Sequence, residues 1–93
     1  MVTEERVPSY EAVKEKIKQI DNTIIIYRVF YNFDNLSYRF QLIKKDKMCI
    51  VEISKTLLDE LKNNGSSSDQ KLAQILKLNT SSSDCWNKVD QYA

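Results

Sequence analysis

Residues 23–53 read TIIIYRVFYNFDNLSYRFQLIKKDKMCIVEI, and the fold is decided here. β-branched and aromatic residues dominate the stretch, and apolar positions recur with period two, as strands require. Asp34-Asn35 and Lys45-Asp46 break the pattern with turn formers. Three strands are therefore expected at about 23–33, 36–44 and 47–53, joined as antiparallel hairpins.

The pairing follows from the rule that the apolar side chains of all three strands share one face. With two-residue loops, Tyr31 stands opposite Tyr38, Val29 opposite Phe40 and Tyr27 opposite Leu42. Leu42 then stands opposite Cys49, Phe40 opposite Val51 and Tyr38 opposite Ile53. That face is wholly apolar or aromatic. The other face carries rows of Ile26, Ile43 and Met48, of Arg28, Gln41 and Ile50, and of Phe30, Arg39 and Glu52, the mixture of a half-exposed surface.

Helical periodicity flanks the strands. Before them, Ser9 reads as an N-cap, and Tyr10, Val13, Ile17 and Ile20 form one face of an amphipathic helix closed by Asp21-Asn22. After them, Ser54 caps a helix with a Leu57, Leu58, Leu61 stripe, ending at Asn63-Asn64-Gly65. Ser67 and Gln70 stand at capping-box spacing before a stripe of Leu72, Ile75 and Leu76. Residues 80–84 then start a last helix carrying Cys85, Trp86, Val89 and Tyr92. The Ser-Ser-Ser-Asp recurrence at 66–69 and 81–84 reads as two convergent caps, because the residues after each do not match.

The expected fold is α+β: an N-terminal helix, a three-stranded antiparallel meander, and three helices packed on one sheet face. Residues 1–8 read as a flexible arm and 9–93 as one domain, a size that leaves no room for a second core. An apolar content of 42% argues against disorder. The first five elements resemble, in order, the double-stranded-RNA-binding domains. That family reads RNA through a histidine-bearing loop between its first two strands and a lysine cluster opening the following helix. Here those places read Phe33-Asp34-Asn35-Leu36 and Ser54-Lys55-Thr56-Leu57, so the family's function is not carried over.

Several chemistries lack their residues. The chain has no histidine, the commonest neutral-pH general base and metal ligand. Two cysteines are too few for a zinc site, and one glycine cannot build a phosphate-cradling loop. Asp59-Glu60 reads as a solvated helix surface. No catalytic residue, metal or cofactor is assigned, and the chain is expected not to be an enzyme. Cys49 and Cys85 read as small buried hydrophobes rather than a disulfide. The longest apolar run, Ile24 to Tyr27, is too short to span a bilayer. An acidic N-terminus, the reverse of a secretory signal, completes the expectation of a cytoplasmic protein with no membrane association.

Basic residues number four, five and five against five, three and five acidic ones in residues 1–22, 23–53 and 54–93, so no segment forms a basic footprint. Leu72, Ala73, Leu76, Leu78 and Trp86 fall near the apolar positions of a helix-turn-helix, but Lys77 stands where such turns carry glycine. Trp86 reads as a staple holding the last helix on the domain.

The candidate partner surface is Arg28, Phe30, Arg39 and Gln41, a group suited to protein recognition or base stacking. The first strand lies at a sheet edge with Arg28 as its one charge, so it is expected to pair with the same strand of a second chain. The leading expectation is a self-associating protein-interaction module. The alternative is a nucleic-acid-binding regulator using the 69–89 helical hairpin or the Arg28, Phe30, Arg39 face.

Overall fold

Helix α1 (Tyr10–Ile20) forms where the 3.6 period lies, and it buries Tyr10, Val13 and Ile17. Three strands follow, β1 (Ile25–Asn32), β2 (Ser37–Lys44) and β3 (Lys47–Ser54), and then α2 (Lys55–Lys62) and α3 (Ser66–Thr80). The structure is a computed structural model and describes residues 6–63 and 66–86. The sheet is an antiparallel meander in the order β1-β2-β3. This is the small α+β fold expected from the sequence. No helix among the described residues is long and apolar enough to cross a membrane.

Between β2 and β3 the expected register is met in full, with Leu42 opposite Cys49, Phe40 opposite Val51 and Tyr38 opposite Ile53. Lys44 and Lys47 close a two-residue loop in which Lys45 takes φ 58°, the left-handed region that such loops demand. Between β1 and β2 the register holds from Arg28 to Asn32 and then breaks. A bulge between Ile26 and Arg28 sets Ile26, not Tyr27, opposite Leu42. Tyr27 is half exposed, and Ile25 replaces Ile26 in the outer row with Ile43. The extra residue turns Ile24 and Ile26 inward and leaves the Tyr27 hydroxyl outside the core, where it accepts from Arg28.

The apolar face of Val29, Tyr38, Phe40, Leu42, Val51 and Ile53 packs beneath the helices, which add Val13, Ile17, Leu57, Leu58, Leu72 and Leu76. Val7 also lies in this core, so packing begins before residue 9. Two caps differ in kind. Ser54 caps α2 as expected, its side chain accepting from the Leu57 amide at 3.2 Å. Ser9 occupies the cap position of α1 at φ 56°, but its hydroxyl donates to the Leu58 carbonyl at 2.8 Å, tying α1 to α2.

The C-terminal region departs most from expectation. Two helices follow the sheet among the described residues, not three. Asn79 Nδ2 and the Thr80 hydroxyl donate to the carbonyls of Ile75 and Leu76, the local competition that ends helices, and α3 stops there. Cys85 and Trp86 are in tighter helix, and Val89 and Tyr92 lie outside the described residues. α3 also runs unbroken through Lys77, and Leu78 is 72% exposed, so the turn needed by a helix-turn-helix is absent. Cys49 and Cys85 form a disulfide with Cα atoms 4.9 Å apart, correcting the reading of two free thiols. Trp86 is buried, as a staple should be, with its indole nitrogen donating to the Thr80 carbonyl at 2.8 Å.

Candidate functional site

The register brings Arg28, Phe30, Arg39 and Gln41 together on the sheet face away from the helices. Arg28 stands beside Gln41, which stands beside Ile50; Phe30 stands beside Arg39, which stands beside Glu52. Phe30, Asn32, Asp34, Arg39, Gln41 and Ile50 line an open depression of about 530 Å³. Ile25, Ile43 and Met48 extend the face as an apolar end row.

Polar contacts on this face are largely intramolecular. Oε2 of Glu52 accepts from the Ser37 hydroxyl at 2.7 Å, from Asn32 Nδ2 at 3.1 Å and from Arg39 Nε at 3.3 Å. The Ser37 and Asn32 hydrogen bonds, followed by that of Arg39, hold the Glu52 carboxyl below its ordinary pKa. Arg28 places its guanidinium 4.7 Å from the centre of the Tyr27 ring and donates to the Tyr27 hydroxyl at 2.9 Å. Both arginines are thus held in place, and Phe30 and Gln41 remain half-buried between them. Asn32 and Ser37 were not singled out from the sequence, although they form the next row of the same register.

Asp21 organises the far end of the domain. Its carboxylate accepts from Lys44 Nζ at 2.8 Å and from the Thr23 amide and hydroxyl at 2.9 and 2.6 Å, joining the end of α1 to the ends of β1 and β2. The Lys44 and Thr23 bonds hold its carboxyl far below the usual carboxylate range. Asp21 and Glu52 both bind protons more readily unfolded than folded, so their contribution is complete above the unfolded carboxylate range and is lost as pH falls from there through the lower folded pKa values. Urea midpoints measured from pH 7 down to pH 2 are expected to fall below about pH 4. Asp21→Asn should lower the pH 7 midpoint and flatten that acid limb, whereas an unchanged acid limb in the variant would remove Asp21 from the account.

None of the known family models, characterised proteins or solved structures compared with the chain matches it. Function must be argued from the molecule itself. Among the described residues no group of three or more Cys, Asp or Glu side chains is placed to hold a metal ion. What the outer face offers is shape, two ordered guanidinium groups and exposed apolar surface.

Proposed function

We propose that the chain is a non-enzymatic protein-interaction module that pairs with a second copy of itself through the outer edge of β1. The observation that carries this reading is the direction of the backbone groups on that edge. Lys44 and Lys47 close a two-residue loop and so form a hydrogen-bonded pair, and pairing alternates along each strand. Even-numbered residues of β2 therefore point to β3 and odd-numbered ones to β1; the Leu36 carbonyl, accepting from the Lys55 amide at 2.9 Å, extends the same parity. Arg28, Phe30 and Asn32 bond to β2 through Gln41, Arg39 and Ser37. Val29 and Tyr31 consequently turn their amides and carbonyls outward, and among the described residues no strand receives them.

The opposite edge is situated differently. Cys85 Sγ lies 3.8 Å from the Ile50 carbonyl oxygen, so the segment after α3 runs against β3. A two-fold axis at Phe30 would let Val29 and Tyr31 exchange hydrogen bonds with Tyr31 and Val29 of the second copy. Arg28 would then face Asn32, keeping like charges apart. The bulge at Tyr27 confines the pairing to residues 28–32. The merged sheet would have six strands and one continuous outer face.

Among the described residues nothing favours the nucleic-acid alternative: the arginines of the face have intramolecular partners and α3 lacks the helix-turn-helix break. The cytoplasmic expectation rests on the acidic N-terminus, and the disulfide does not support it, since such bonds persist mainly in oxidising compartments.

Sedimentation equilibrium at micromolar concentration should show a dimer. Val29→Pro removes an outward amide, and Phe30→Lys sets two ammonium groups face to face without altering the core, so each should shift the equilibrium toward monomer. A wild-type chain monomeric up to high micromolar concentration would sink the proposal.

A further inference from the structure

Segment 81–86 is held to the rest of the domain in an unusual way. Its hydrogen bonds among the described residues are all local. The Ser81 amide donates to Lys77, that of Ser82 to Asn79 and that of Cys85 to Ser82, while the Trp86 indole donates to Thr80. None reaches the sheet. Attachment to β3 rests on the Cys49–Cys85 bond and on burial of Trp86 beside Lys44, Lys45 and Lys47 at the β2–β3 turn. The sulfurs carry no proton in the disulfide, so their approaches to carbonyl oxygens are packing contacts. Meanwhile the sheet and helices share a core of Phe40, Leu42, Val51, Ile53, Leu58, Leu72 and Leu76, all without exposed surface, to which the segment adds little beyond one indole.

We propose that Cys49–Cys85 is a reversible thiol–disulfide site, and that its reduction by a small thiol frees residues 81–86 from β3 while the sheet and α1–α3 stay folded. Cys49 has no exposed surface and Cys85 is half-buried, so the incoming thiolate attacks Sγ of Cys85. The Cys49–Cys85 bond breaks, a mixed disulfide forms on Cys85, and Cys49 leaves as a thiolate that takes a proton. A second thiol attacks the mixed disulfide, releases Cys85 as its thiol and departs as the oxidised reagent, so two electrons pass to the protein. The neutral Cys49 thiol suits its place as a small buried hydrophobe. With the segment gone, the outer edge of β3 at Ile50 is uncovered, giving the domain a second open edge. The inference does not depend on β1 pairing.

Trp86 is the only tryptophan and so reports on the segment alone. The full chain, treated with dithiothreitol without denaturant, should yield two titratable thiols, with Trp86 emission moving toward that of tryptophan in water while the far-UV circular dichroism stays that of the oxidised protein. Cys85→Ser should show the shifted emission without reductant and no response to it. Three results would overturn the proposal: two thiols with unchanged emission, loss of the far-UV spectrum together with the emission shift, or no thiols until denaturant is added.

Discussion

Phe40→Ala is expected to lower the unfolding free energy by about 3–5 kcal/mol, the range for truncating a large, fully enclosed aromatic side chain. Phe40 sits on the central strand between Val29 and Val51, has no exposed surface, and belongs to the core shared by all three helices and the sheet. Truncation therefore removes both the transfer gain of the ring and its contacts, with neighbours on every side too constrained to close the gap. Small domains hold about 5–15 kcal/mol in all, so the variant should remain foldable but be close to its limit. Urea denaturation would read the change as a lower midpoint. Arg39→Ala, one residue along on the outer face, should cost under about 1 kcal/mol, since its ion pair with Glu52 is solvent-exposed. Equal losses in the two variants would mean that the faces are wrongly assigned.

Removing the disulfide should have an effect of similar size by another route. Cys49 and Cys85 stand 36 residues apart, and on the chain-entropy model a closed loop of that length restrains the unfolded state by about 4 kcal/mol. The double variant Cys49→Ala with Cys85→Ala avoids leaving one thiol without its partner. Its urea midpoint in the absence of reductant should fall by an amount corresponding to several kcal/mol. A loss below about 1 kcal/mol would show that the bond restrains little of the unfolded chain.

The parts of the fold that could be read from the sequence are those governed by period and turn chemistry. β2 and β3 carry an apolar or aromatic residue at every inward position from Tyr38 to Leu42 and from Cys49 to Ile53 and share a two-residue connection, so their register followed directly. Ser54 could be read as a cap because its neighbours set the start of α2. Tyr27 could not be placed, because a bulge preserves the apolar alternation on either side of itself and leaves no mark in composition. Ile24, Ile25, Ile26 and Tyr27 are all strand formers, and only three-dimensional packing chooses which of them face inward. The reading of Cys49 and Cys85 as unpaired hydrophobes failed for a similar reason: their bond depends on the chain after α3 returning to β3, a tertiary event that no local periodicity reports. The boundary before the expected last helix is set by Asn79 and Thr80, whose side chains end α3, and by the cystine, which fixes the path to Trp86. The candidate face was legible as a group of residues, since register alone collects Arg28, Phe30, Arg39 and Gln41. Its internal pairing was not, because the contact of Arg28 with Tyr27 exists only through the bulge.

The direction of the β1 backbone groups is the point on which the functional account turns, and amide hydrogen exchange resolved by residue measures it. The amides of Val29 and Tyr31 should exchange quickly in dilute solution and become protected as concentration rises through the association range, while that of Phe30, bonded to β2, stays protected throughout. Val29 and Tyr31 amides that exchange at one rapid rate at every concentration, beside a protected Phe30, would contradict pairing through this edge.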